Sequence, residues 1–258
     1  MEQNETNIVW QQKVAECLTI PDFTSKPRGM EVKEVISGHY EVPMPAYIDL
    51  KARKVNVPFM FAEAAWIISG SNRLAELTPY MKVYENFSDD GVFLKGAYGP
   101  KVVDQLGYVV DAIQNDNDTR QAVINIWRER PGASKDIPCT LSMQFLLREG
   151  ILNMVVTMRS QDIVLGYTYD VFTFSMVAKA VKLLLNERGI ACDLGTLHLN
   201  AGSMHIYERH YEEGKAWVLE EDRDPEISKA VLKYTNAKTY SDLIKQLQKG
   251  AETYGEAD

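Results

Sequence analysis

Cysteine is scarce in this chain, with three in 258 residues. Cys17, Cys139 and Cys192 are odd in number and widely spaced, which argues against a disulfide framework or a structural zinc site and for a reducing, cytoplasmic setting. No apolar run reaches the length of a membrane-spanning helix. The opening MEQNETNIVWQQ is acidic and amide-rich rather than basic and then apolar, so no secretory leader is expected. Basic charge is also short: 28 Lys and Arg stand against 36 Asp and Glu, a net charge of −8. That balance excludes a protein whose main partner is duplex nucleic acid, which needs a basic face. A small anionic ligand needs only a few well-placed arginines. Internal repeats, low-complexity tracts and Pro/Gly/Ser linkers are missing too, so a single domain over 1–258 is expected. What remains is ordinary globular composition, 45% apolar and 25% charged, long enough to bury a substantial core.

Hydrophobic periodicity supplies the elements. Residues 8–18 read as a first helix, and MEVKEVISGHYEV (30–42) alternates as a strand does. PFMFAEAAWIISG (58–70) reads as a largely buried helix closed by Gly70. Val102, Val103, Leu106, Val109, Val110 and Ile113 recur at helical spacing. Three strands follow, over 121–127, 140–147 and 151–158, with Leu141, Met143, Phe145 and Leu147 on one face of the second. VFTFSMVAKAVKLLLNE (171–187) is the strongest helical pattern. GTLHLNAGSMHIYERHY then reads as a strand running into a helix, and charged helices finish the chain. Neighbouring antiparallel strands with helices before and after predict an α+β fold with a mixed or antiparallel sheet and flanking helices.

Register brings two motifs together. If Glu149-Gly150 is the turn between the middle strands, Arg148 pairs with Ile151 and Cys139 falls opposite Ser160. Even a slip of a residue or two leaves Cys139 and the Arg159–Ser160 pair at one end of the hairpin. A lone cysteine is most often a small buried hydrophobe. A guanidinium beside it favours the thiolate, which is the nucleophile. Cys17 and Cys192 have no such partner and read as structural.

Several motifs in one order carry a resemblance. PRGMEVKEVISGH sets Arg28 ahead of a Gly-His; AEAAWIISGSN is a Glu-x-x-Trp helix ending in glycine; GAYG and NDNDTRQ follow. Pro-Cys then opens a strand holding QF, and RSQDIVLG, a helix and GSMHIYERH complete the set. Over roughly residues 25–215 the chain resembles the thymidylate synthase family. The resemblance implies that family's fold, a sheet-mediated homodimer, a pyrimidine nucleotide as substrate and 5,10-methylenetetrahydrofolate as cosubstrate, with no metal. It also implies roles. Cys139 would add to C6 of the base. Arg159 and Ser160 would hold the 5′-phosphate, with Arg28 closing over it and Arg120 reaching in from the partner subunit. Asp162 and Gly166 would shape the nucleotide and folate surfaces, and His205 and Tyr207 would bind the sugar hydroxyl. Glu63 would organise proton transfer, while Tyr98 and Gln144 would line the same cavity. Tyr84 and Phe87 stand on the folate side.

Asp170 departs from the synthase pattern, which usually has Asn there. An amide matches the N3–H and O4 of uracil, whereas a carboxyl suits cytosine, accepting from its amino group and sharing a proton with N3. Without the resemblance, an N-cap of the 171–187 helix is the preferred reading of Asp170. Thr140 after the cysteine, MRSQDIVLG and GSMHIYERH are closer to the phage deoxycytidylate (dCMP) hydroxymethylases, in which water completes the product. Gln121 replaces a usual second arginine. Tyr84 and Phe87 replace tryptophans that help keep water from a reactive methylene. The expectation is a dCMP hydroxymethylase, with a dCMP methyltransferase, a CMP hydroxymethylase and a silent nucleotide-binding protein as alternatives. AETYGEAD has no clear counterpart to the closing C-terminus of a synthase.

Overall fold

The computed structural model describes residues 4–130 and 132–255. Six strands lie in one sheet, β1 (Phe23–Ser25), β2 (Val32–Pro43), β3 (Val123–Asn125), β4 (Thr140–Arg148), β5 (Ile151–Asp162) and β6 (Asp193–Tyr207), in the order β1-β2-β6-β5-β4-β3. All neighbours are antiparallel except β5 and β6. A parallel pair needs a crossover connection. That connection is α4 (Leu165–Glu187), which is buried along most of its length. The other helices are α1 (Glu5–Thr19), α2 (Val57–Ile68), α3 (Gly99–Asn115), α5 (Tyr211–Val218), α6 (Pro225–Tyr234) and α7 (Tyr240–Gly255). The architecture is α+β with a mixed sheet. Residues 256–258, the end of the segment compared with a closing C-terminus, lie outside the described residues.

Local chemistry explains the elements that carry function. Asn56 caps α2 by accepting from Phe59 N at 3.0 Å, and VPFMFAEAAWII is apolar apart from Glu63. That helix therefore carries one ionisable side chain, the half-buried Glu63, at the edge of the core. The hairpin pairs Arg148 with Ile151 as predicted. Its turn residues Glu149 and Gly150 have φ of 50° and 76°, the doubly positive geometry that matches strand twist. A register shift between Thr140 and Ser142 changes the far end. Thr140 faces Met158, and Arg159 N donates to Cys139 O at 2.8 Å. Cys139 thus stands opposite Arg159, not Ser160; the bulge absorbs one residue.

Three expected boundaries move. The strand over 121–127 shrinks to Val123–Asn125, an edge that pairs only with β4. β6 continues through Tyr207, and helix α5 waits until Tyr211, so His205 and Tyr207 are strand residues rather than a helix start. Helix α4 begins at Leu165 rather than Val171. Tertiary partners lengthen it: Asp162 Oδ1 accepts from Val164 N and Leu165 N, Trp10 Nε1 donates to Ile163 O, and Arg53 donates to Val164 O and Thr168 Oγ1. Asp170 consequently sits inside the helix. It does not cap it.

Candidate active site

Strand polarity gathers the site. Asp162 on β5 pairs with His205 on β6, Ser160 pairs with Ser203, and Tyr207 pairs with Val32 at the start of β2. The ends of β5 and β6, the entry to β2 and the entry to β4 therefore meet at one end of the sheet. Arg28 precedes β2 in a tight turn, exposed, at φ 54° with Gly29 at 79°. Left-handed geometry at a non-glycine residue is uncommon, and here it bends the chain sharply just before the strand.

Cys139 is half-buried at this end. Burial raises its thiol pKa; Arg159, a hydrogen bond from Ser160 and the more remote Arg28 oppose that rise without cancelling it, and Asp170 adds to it. The expected thiolate-favouring guanidinium is present, but desolvation outweighs it. Arg159 is also occupied: Nε donates to Pro138 O at 3.0 Å, Nη2 to Ile137 O at 3.0 Å and Nη1 to Ser160 Oγ at 3.1 Å. Ser160 Oγ in turn donates to Cys139 Sγ at 3.8 Å. Guanidinium, hydroxyl and thiol form a relay. Behind them Tyr98 OH accepts from Thr140 N at 3.3 Å, and burial beside Cys139 and Asp170 raises the phenol. Thr140 Oγ1 is buried without a hydrogen-bond partner among the described residues.

Two acids lie beyond the thiol, Asp170 close enough to act on it and Glu63 close enough to act on Asp170. Burial pushes Asp170 up to about 8; the Glu63 charge adds to the rise and a hydrogen bond from Gln161 opposes it. Burial pushes Glu63 up to about 7 against hydrogen bonds from Tyr84 and Thr173. Tyr84 OH donates to Glu63 Oε1 at 2.6 Å, and Thr173 Oγ1 donates to Oε2 at 3.5 Å. Gln161 Nε2 donates to Asp170 Oδ2 at 3.2 Å, while Tyr40 OH donates to Gln161 Oε1 at 3.0 Å. At Gly166 a Cβ would come within 3.2 Å of that same Oδ2, so the glycine keeps the carboxyl uncrowded. Carboxyls with pKa values near neutrality are suited to holding and moving protons.

Most of the expected residues converge here. His205 packs edge-on to Tyr207, ring centroids 5.2 Å apart. Phe87, exposed, packs edge-on to Tyr84 at 6.1 Å. Gln144 does not join them. It is five residues from Cys139 along the sheet, about 16 Å at strand rise, and points away from the core-facing Met143 and Phe145. Its Nε2 donates to Arg120 O at 2.8 Å. Arg120 is exposed on that same part of the chain, so within one chain it does not reach Cys139. His39, Glu41 and His198 gather separately, their ligating atoms within 4.8 Å; His39 and Glu41 are exposed on either side of the inward Tyr40, and His198 is half-buried on β6. Sequence reasoning missed Gln161, Tyr40 and Thr173. The buried alternation of β5 runs Leu152, Met154, Val156, Met158 and then jumps to Gln161, so period-two reading gives no signal for it.

The thymidylate synthase family model matches residues 19–249. The chain belongs to the thymidylate synthase family. A deoxyuridylate hydroxymethyltransferase of Bacillus phage SP01 is 31% identical over 207 residues, 72% of this chain and 53% of that protein. One of Pseudomonas phage M6 is 27% identical over 185 residues, covering 68% and 51%. A thymidylate synthase of Vesicomyosocius okutanii is 25% identical over 175 residues, covering 62% and 64%. The chain thus spans about half the length of the phage relatives it matches. The thermostable thymidylate synthase A of Bacillus subtilis superposes with a TM-score of 0.70 at 21% identity over 85% and 86% of the two chains, which establishes the thymidylate synthase fold. No helix among the described residues is long and apolar enough to cross a membrane.

Proposed function

We propose that this family member hydroxymethylates dCMP at C5, with 5,10-methylenetetrahydrofolate as cosubstrate. Cys139 Sγ adds to C6, C5 takes the one-carbon unit and gives up its proton, tetrahydrofolate departs to leave an exocyclic methylene, water adds to that methylene and the sulfur leaves C6. Arg159, Ser160 and Arg28 bind the 5′-phosphate, Arg120 completes it from the partner of a homodimer, and His205 and Tyr207 hold the sugar. Asp162 and Gly166 shape the floor between nucleotide and folate, and Tyr98 stands behind the thiol. Tyr84 and Phe87 face the folate.

The observation that carries this reading is the half-buried carboxyl of Asp170 beside Cys139, pushed by desolvation up to about 8. A protonated Asp170 donates to cytosine N3 and accepts from the 4-amino group. The same proton at N3 draws electrons from the ring and eases attack at C6. Glu63, pushed up to about 7, is the general acid–base for the remaining proton transfers. The names of the phage relatives favour a second reading, hydroxymethylation of deoxyuridylate (dUMP). Incubation with equal dCMP and dUMP plus methylenetetrahydrofolate, with products weighed by mass spectrometry, tests both. A hydroxymethyl gain on dCMP upholds the proposal, and one on dUMP replaces it with the second reading. A methyl gain with dihydrofolate assigns the last step to hydride transfer. No product on either base leaves the silent nucleotide-binding alternative.

A further inference from the structure

Asp170 alone does not choose a base. A neutral carboxyl has one donor and one acceptor oxygen, and both pyrimidines offer one donor and one acceptor on the facing edge. Cytosine wants the proton at N3 and the lone pair at the 4-amino group. Uracil wants the lone pair at N3–H and the proton at O4. The carboxyl would satisfy either base by moving its proton from one oxygen to the other.

The protein removes that freedom. Tyr40 is 3% exposed, and its phenol gives its proton to Gln161 Oε1 at 3.0 Å. Gln161 is 2% exposed, so the other end of its amide, Nε2, is the one turned to Asp170 Oδ2. An amide NH2 only donates. Oδ2 is therefore the acceptor, and a proton on the carboxyl resides on Oδ1. Reversing the amide would strand the buried Tyr40 proton, at a cost that disfavours the flip. Of the two other nearby acids, Glu63 accepts from Tyr84 and Thr173, and Asp162 has its Oδ1 committed to Val164 N and Leu165 N. We infer that Gln161, held by Tyr40, fixes which oxygen of Asp170 carries the proton and thereby which pyrimidine the site accepts. Gln161 is a positioning residue and touches the base only through Asp170. The inference rests on the reading that Asp170 faces the base.

The test measures kcat/KM for dCMP and dUMP in the wild type, Gln161→Met and Tyr40→Phe. Gln161→Met keeps the side-chain length and removes both hydrogen bonds; Tyr40→Phe removes only the hydroxyl that orients the amide. The ratio of preferred to excluded base should fall roughly tenfold or more in Gln161→Met and by a smaller factor in Tyr40→Phe. The fall should arise mainly from turnover gained on the excluded base, which a merely loosened fold does not give. An unchanged ratio in folded Gln161→Met overturns the inference. Should that variant fail to fold, an unchanged ratio in Tyr40→Phe overturns it instead. The wild-type ratio separately tests the choice of cytosine: a wild type preferring dUMP refutes that choice, while lost preference in the variants still upholds Gln161. If no product forms on either base, equilibrium binding of the two nucleotides supplies the same ratios.

Discussion

One region holds a fully buried carboxyl, Asp49, and another holds two half-buried ones, Asp170 and Glu63, and the two regions treat them in opposite ways. Asp49, fully buried, is surrounded by donors: Asn7 Nδ2 at 2.6 Å, Asn4 Nδ2 at 3.1 Å, Ser228 Oγ at 2.7 Å and the Arg223 guanidinium. Burial would raise its pKa, but the hydrogen bonds from Arg223, Ser228, Asn7 and Asn4 outweigh it and hold the carboxyl below its ordinary value. Among the described residues Asp170 has a single amide donor and Glu63 has two hydroxyls, and both acids rise. This fold can satisfy a buried carboxylate completely, as it does where Asp49 ties α1 to the start of α6. Leaving Asp170 and Glu63 under-provided keeps them able to exchange protons with a ligand. The donor-rich acid is held ionised, whereas the donor-poor acids keep pKa values near neutrality, which the proposed chemistry uses.

The largest expected break in that contrast is Asp170→Asn. Replacing the carboxyl with an amide should move preference toward dUMP by roughly 10³-fold in the kcat/KM ratio, because a site built to hydrogen-bond one edge strongly rejects the other. Steady-state competition between the two nucleotides reads it, and an unaltered ratio would detach Asp170 from base recognition. Asp49→Ala should do the reverse. Depriving Arg223, Asn7 and Ser228 of their shared acceptor costs about 3 kcal/mol of stability. Denaturant unfolding measures that loss, and kcat at temperatures where the variant is folded should be unchanged.

A pH titration of stability sharpens the comparison further. For Asp49 the folded pKa lies below the unfolded one, so its contribution is complete above about pH 4 and drains away as pH falls. For Asp170 and Glu63 the folded pKa lies above. The folded chain then binds more protons than the unfolded chain from about pH 4 to about pH 8, and stability falls with rising pH across that window. Asp170→Asn should flatten the fall toward pH 8 while leaving the acid limb in place. Thermal unfolding across pH 4–9 separates the limbs; a fall as steep as in the wild type would mean that Asp170 ionises without penalty.

How much of this was legible in the sequence depends on the range of the interaction. Helix α2, the hairpin turn and the crossover helix follow from apolar spacing and turn residues within a few positions of one another. The motifs around Cys139, Arg159 and His205 were legible because β5 and β6 deliver contiguous segments to one sheet end. The start of α4 was not, since Trp10 and Arg53 brace it from distant positions. Neither was Gln161, whose meaning lies in contacts with Tyr40 and Asp170 on two other elements. Gln144 misled because it follows the cysteine in a familiar order, yet the strand carries it out of reach and its alternation turns it to the other face.

The smallest predicted effect concerns Tyr84, which the resemblance assigns to the folate side and the structure joins to Glu63 at 2.6 Å. Its own phenol is raised well above the ordinary value, with burial the largest cause, so it stays protonated and acts as a donor. Donation favours the ionised form of Glu63 and restrains the rise caused by burial. In Tyr84→Phe the ring keeps its neighbours Phe59 and Phe87, and only the donor is lost. The Glu63 pKa should then climb above about 7, by about half a pH unit for a hydrogen bond of ordinary net strength. The pH dependence of product formation reads this directly: the limb governed by Glu63 should move to higher pH, with little change in folate KM. A displaced KM with an unmoved limb would return Tyr84 to folate binding alone. Asp49 would then have no counterpart in which removing one donor measurably moves an acid.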